Sequence, residues 1–204
     1  MSRYKRLSVL DEMFLHLEGP NTHMHVGGAI VFEGPPPDYQ DFLDSARTRL
    51  QLVPRFRQKL VTVPFGLGRP IWVDDTHFNL EYHVRQTALP APGDDEQFKR
   101  LIGRIQSQQL DRSKPLWEIW FAEGLGGDRW ALISKTHHAL VDGISGVDII
   151  SVILDIAPEP QVIEEEPWRP DPEPTPDQLI IDAIGERLTS PTEVVRIVRS
   201  ALLD

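Results

Sequence analysis

The sequence predicts an α/β fold: a mixed sheet flanked by helices, then a Pro/Glu-rich linker and short amphipathic helices. Three observations predict it. Segments with apolar residues at helical spacing alternate with short strand-like runs punctuated by Gly and Pro up to about Asp155. Composition turns abruptly to proline and acid at Pro158. Helical periodicity then returns at Gln178.

The first helix follows Ser8, a capping residue with Asp11 three positions on. Val9, Leu10, Met13, Phe14 and Leu17 give it an apolar stripe, and Gly19-Pro20 ends it. His25–Phe32 reads as a strand closed by Gly34 and three prolines. Asp38 caps a second helix whose inner face is Phe42, Leu43, Ala46, Leu50 and Val53. Phe56–Val63 and Ile71–Val73 read as strands around a turn at Gly66–Gly68, and Phe78–Val84 as another. After a loop over Ala88–Gly93, a helix from Asp94 carries Phe98, Leu101, Ile102 and Ile105 at i, i+3, i+4, i+7. Leu116–Ala122 and Trp130–Thr136 read as a strand pair joined by a turn over Gly124–Asp128. Ala131 and Ile133 fall on one face of the second strand, Leu132 and Ser134 on the other. Ile144, Val147, Ile150, Ile153 and Leu154 then mark a helix.

The expected organisation is a domain over residues 1–157, a linker over 158–177 and an amphipathic helical segment over 178–204. The linker's prolines lack amide donors and its carboxylates repel one another, so neither helix nor sheet is favoured there. An extended, protease-sensitive stretch is expected. The tail's Leu179, Ile180, Ala183, Ile184, Val194, Val195, Ile197, Val198 and Leu202 need burial against the first domain, a second domain or lipid, and a second domain is the expected partner.

Of 204 residues, 40% are hydrophobic and 25% charged, ordinary for a globular chain. A net charge of −10 argues against a nucleic-acid partner. No apolar run is long enough to cross a bilayer. Met1–Arg6 is basic but is not followed by a signal-peptide core, so a cytoplasmic location is expected, with peripheral association to membrane or lipid inclusions left open. The absence of cysteine excludes thiol nucleophiles, disulfides and thiolate metal sites.

Chemistry concentrates in His137-His138-Ala139-Leu140-Val141-Asp142-Gly143, between a strand and a helix. Neutral imidazole is a natural base for a hydroxyl attacking a thioester. Adjacent histidines on extended backbone point opposite ways, so one reaches substrate while the other faces the core. Asp142 suits a capping or arginine-pairing role, and Gly143 a tight turn. A structural His-His turn with a helix cap is the alternative. Metal binding is disfavoured, because the pair lacks the i, i+4 histidines of zinc-binding helices. His23 and His25, two apart, are placed to share a strand face as metal ligands do, but a structural or tunnel-lining role is preferred for His25. Trp117, Trp120 and Trp130 are expected in the core. Arg55, Arg57 and Lys59 form either a phosphate contact or a solvated strand face.

The string His137–Gly143 resembles the HHxxxDG signature of CoA-dependent acyltransferases with the chloramphenicol acetyltransferase-like fold, a group that includes peptide-synthetase condensation domains. Other segments are more selective. Leu7–Asp11, Met24–Gly28, Pro54–Leu60 and Leu110–Glu118, with its Pro115-Leu116-Trp117 element, resemble the bacterial wax ester synthase/diacylglycerol acyltransferase family in the right order. The resemblance implies a chloramphenicol acetyltransferase-like half-unit with His138 as general base and His137 supporting it. It implies that Asp142 and Gly143 shape the loop. It implies fatty acyl-CoA as cosubstrate, diacylglycerol or a long-chain alcohol as acceptor, and no bound cofactor or metal. Family members have two similar α/β domains with the site between them, so a C-terminal half is an expected partner beyond Asp204. Two other readings stay open. One is a catalytically incomplete half that binds acyl chains or a partner half. The other is a condensation domain, against which the Pro115-Leu116-Trp117 element and the opening motif argue.

Overall fold

A computed structural model of the chain describes residues 4–141, 149–154, 163, 164 and 166–189. The helices are α1 (Val9–Leu17), α2 (Tyr39–Arg49), α3 (Leu80–His83), α4 (Asp95–Gln106), α5 (His138–Val141), α6 (Ile149–Ile153) and α7 (Pro176–Thr189). The strands are β1 (His25–Glu33), β2 (Gln58–Val61), β3 (Ile71–Asp74), β4 (Val84–Ala88), β5 (Trp117–Leu125) and β6 (Arg129–His137). Four strands form a mixed sheet in the order β1-β6-β5-β4, with only β4 and β5 parallel, while β2 and β3 pair as a separate antiparallel ribbon.

The alternation read in β6 divides the core. Leu132, with Trp117, Ile119 and Phe121 of β5, packs against α2, α5 and α6. Ala131 and Ile133, with Ala122 and Leu125, pack against Leu101 and Ile105 of α4. Helices thus cover both faces, as an α/β fold requires. The two anticipated caps hold their helix starts, Ser8 accepting from the Asp11 amide and Asp38 from Gln40 and Asp41, and Asp94 adds a capping box with Gln97.

Several expectations are corrected. Residues 78–84 do not form a strand, because the Asn79 side chain accepts from the Glu81 amide and starts α3, leaving β4 to begin at Val84. Pro54 opens a 3₁₀ turn over Pro54–Arg57, which delays β2 to Gln58. The stripe of α1 is not an inner face: Val9, Leu10, Met13 and Leu17 are exposed, while the polar Asp11 is buried. Almost all of β1 is exposed too; its Phe32 stacks on Trp130 at 4.2 Å.

The tail finds more of a home than its composition suggested. Leu179 and Ala183, one turn apart on α7, are buried against Val63, Ile71 and Val73, a surface supplied by the β2–β3 ribbon. Ile181 and Ile184 stay exposed. Thr175 and Gln178 bond reciprocally at the start of α7. The preceding residues have neither helix nor strand but are anchored. Gln51 donates to the Glu164 carbonyl and accepts from the Glu166 amide, and Lys59 pairs with Glu173 at 2.9 Å. The Asp171 amide donates to Asp74 at 3.0 Å, and Trp168 packs edge-on against Phe78. Val194 to Leu202 lie outside the described residues.

Candidate active site

The two histidines straddle the end of β6. His137 is its last residue and His138 opens α5. The Leu116 carbonyl accepts from the His137 amide at 3.0 Å, and the Met24 carbonyl accepts from the His138 amide at 2.9 Å. The two backbones on either side thus clamp the junction. Pro115, Leu116 and Trp117 are buried, and Trp117 is locked on several sides. Its indole N–H donates to the Phe56 carbonyl at 2.7 Å, and its ring stacks on His83 at 4.7 Å. Its carbonyl accepts from His83 Nδ1 at 2.8 Å. The Pro115-Leu116-Trp117 element is therefore a rigid brace beneath His137.

The side chains part. His137 is fully buried, and the Ala139 amide donates to its Nδ1 at 3.0 Å. A nitrogen that accepts carries no proton, so the ring's proton sits on Nε2. Burial above all pushes the His137 imidazole down to about 4, against the opposing attraction of Glu18, so it is neutral at physiological pH. His138 is only half-buried and stacks on Phe14 of α1, with ring centroids 4.8 Å apart. Val9, Leu10, Met13 and Leu17 of the same helix are exposed. Asp142 and Gly143 lie outside the described residues.

Behind His137 stands Glu18, which follows α1 and whose side chain is 3% exposed. Its Oε2 accepts from Arg112 Nε at 2.8 Å and pairs with Arg112 Nη2 at 2.6 Å. Its Oε1 lies 3.7 Å from His137 Nε2 and accepts from the Met24 amide at 3.4 Å. His25, the cross-strand partner of His137, donates from Nε2 to the Gln106 carbonyl at 2.9 Å. Burial lowers its pKa, which favours the neutral ring. His23 meets His25 edge to face at 5.4 Å. Gly27 lies so close to the Gln106 side chain and the Ser134 carbonyl that any Cβ would overlap them. Nearby, buried Lys135 donates to the carbonyls of Ile105 and Gln108 and pairs with Glu118 at 3.4 Å, with burial lowering its pKa.

Sequence reasoning missed Glu18 and gave no role to Met24 and Arg112, which it met only inside segments carrying the resemblance, because no local spacing links positions that meet only through β1 and the loop before β5. Buried Lys135 opposite Glu118 carried the one available signal, opposite charges facing each other across two apolar strands. Arg55, Arg57 and Lys59 are engaged locally. Arg55 stacks on Trp72 at 4.5 Å, and Arg57 donates to the Arg47 carbonyl and covers Trp168. Lys59 holds Glu173. Trp117 and Trp130 are core residues, whereas Trp120 is half-buried beneath Arg85. Among the described residues no helix is long and apolar enough to cross a membrane.

Residues 7–204 match the family described as the wax ester synthase/diacylglycerol acyltransferase catalytic domain. A probable diacylglycerol O-acyltransferase of Mycobacterium tuberculosis is 40% identical over 199 residues, covering 97% of this chain and 73% of that protein. A second one from that organism is 42% identical over 151 residues, covering 73% of this chain and 33% of the relative. The solved wax ester synthase/diacylglycerol acyltransferase from Marinobacter aquaeolei VT8 superposes with a TM-score of 0.59 at 39% identity, covering 69% of this chain and 34% of that one. The first condensation domain of the calcium-dependent antibiotic synthetase shares the fold, with a TM-score of 0.52 at 16% identity over 67% of this chain and 33% of its own. The chain thus spans about a third of the longer proteins it resembles, and it belongs to the wax ester synthase/diacylglycerol acyltransferase catalytic-domain family.

Proposed function

We propose that the chain carries the base of an acyl-CoA-dependent O-acyltransferase acting on diacylglycerol or a long-chain alcohol. One observation carries the reading: His138 is a half-buried imidazole on a clamped backbone, set against the aromatic ring of a helix whose Val9, Leu10, Met13 and Leu17 are exposed. An apolar surface beside a base suits long-chain substrates, whose burial is favourable by about 0.8 kcal/mol per CH₂.

In this reading a ring nitrogen of His138 accepts the hydroxyl proton as the oxygen attacks the thioester carbonyl. The new C–O bond forms, the tetrahedral intermediate collapses, and the C–S bond breaks. The proton passes from the imidazolium to the leaving CoA sulfur. Buried, neutral His137 acts as support, and Asp142 and Gly143 shape the loop that follows. No metal takes part.

The exposed apolar side chains of α1 and β1 favour a second reading, a non-catalytic half that binds acyl chains or a partner α/β half. Incubating the chain with palmitoyl-CoA and either dioleoylglycerol or hexadecanol, with and without a candidate C-terminal half, distinguishes the two. Ester and free CoA formed in either mixture support the acyltransferase. Binding without turnover in both supports the second reading.

A further inference from the structure

We infer that Glu18 is a positioning residue that sets the tautomer of His137 and the placement of His138. The inference rests on the reading of His138 as the base. Glu18 faces His137 directly and is linked to His138 and Ala139 through Met24 and the His137 ring. Its Oε1 lies 3.7 Å from His137 Nε2, beyond direct hydrogen-bond range but close enough to attract an N–H. The opposite ring nitrogen accepts from the Ala139 amide, the first turn of α5. The same Oε1 accepts from the Met24 amide, and the Met24 carbonyl accepts from the His138 amide.

Arg112 completes the circuit. It binds Glu18 through two nitrogens and donates from Nη2 to the Leu15 carbonyl at 2.7 Å. Leu15 is the neighbour of Phe14, the residue stacked on the His138 ring. Backbone, first helical turn and ring contact of His138 thus all lead back to one carboxylate. The charge has a direct effect on the ring behind it. A carboxylate facing Nε2 favours the form protonated there, and that form alone leaves Nδ1 free to accept from Ala139. Reversing the tautomer would set two N–H groups against each other, push the first turn of α5 away and carry His138 with it. Sequence places Glu18 merely at the end of a helix before Gly19-Pro20, where an acid signals nothing.

The test has two arms. In ¹⁵N-resolved histidine spectra of the wild-type chain, His137 should show Nε2 protonated and Nδ1 bare at neutral pH. A His137 protonated on Nδ1 would overturn the inference, and this arm needs no catalysis. In the second arm, Glu18→Gln and Glu18→Asp are assayed with palmitoyl-CoA and dioleoylglycerol, with a C-terminal half supplied if turnover requires one. Glu18→Gln should lower kcat about 10- to 100-fold, the usual effect of losing an orienting partner, with KM for palmitoyl-CoA nearly unchanged. Glu18→Asp should recover part of the loss, and the His137 signature of Glu18→Gln should shift. A folded Glu18→Gln with wild-type kcat and an unchanged His137 signature would refute the positioning role. Absence of turnover in the wild type, with the expected tautomer present, would instead sink the reading of the chain as an acyltransferase.

Discussion

Acidification should destabilise this chain through His83, and the loss can be isolated. His83 lies between Phe78 and Trp117, with ring centroids at 5.2 and 4.7 Å, and is 1% exposed. Its Nδ1–H donates to the Trp117 carbonyl and its Nε2 finds no hydrogen-bond partner among the described residues, so the ring is held neutral. Burial, the dominant cause, pushes its pKa down to about 4 from an ordinary 6.5. The sign follows from proton counting. Between those two values the unfolded chain binds the proton and the folded chain does not, so stability is complete above about pH 6.5 and falls as the pH drops towards 4. The full difference is worth up to about 3 kcal/mol, of which about 2 kcal/mol is lost by pH 5. His83→Phe removes the titration but takes a donor from a buried carbonyl, costing about 1–3 kcal/mol at pH 7. The stability gap between wild type and variant should therefore narrow by about 2 kcal/mol on going to pH 5. That is about 4–8 °C in melting temperature for a chain of this length. Thermal unfolding followed by circular dichroism at pH 7, 6 and 5 measures it. Groups that titrate alike in both proteins cancel in the comparison. Parallel pH profiles would refute the assignment of a buried neutral ring.

Two further outcomes are expected. Leu179→Ala should cost about 2–5 kcal/mol at the α7 contact and free that helix before the sheet unfolds; limited proteolysis that leaves α7 as protected as in the wild type would contradict the docking on β2–β3. Wherever ester formation is observed, it should survive a strong chelator, and a loss that zinc restores would favour a ligand role for His23, His25 or the His137–His138 pair.

Much of the fold was legible because local chemistry and tertiary packing agree along it. Ser8, Asp38 and Asp94 cap where side-chain oxygens precede apolar periodicity, and β6 is apolar on both faces because both faces of a central strand are covered. Legibility failed where a single side chain outweighs the pattern. Asn79 converts an apolar, aromatic run into a helical turn, and Pro54 does the same before β2. It failed again where apolar residues are not turned inward: the periodicity of α1 is real, yet its stripe faces outward while Asp11 is buried. The described part of the expected linker has neither helix nor strand up to Thr175, while its last two residues, Pro176 and Asp177, already belong to α7. The linker's anchoring by Gln51, Lys59 and Asp74 depends on partners about a hundred residues away and leaves no local trace. At the site, the motif made His137 and His138 conspicuous, and the opposite pointing of neighbouring strand side chains suggested one inward and one accessible ring. Glu18 and Arg112 were silent, because a single acid and a single arginine far apart in sequence become a pair only through the fold.

The central claim is that His138 takes the acceptor's proton. Its most direct test is the rate of ester formation from labelled palmitoyl-CoA by wild type and by His138→Ala, in whichever mixture the wild type turns over, with circular dichroism and melting temperature measured alongside. The account predicts a folded variant whose rate falls by about 10²–10⁴, the usual cost of losing a general base. A folded His138→Ala that forms ester at the wild-type rate would contradict it.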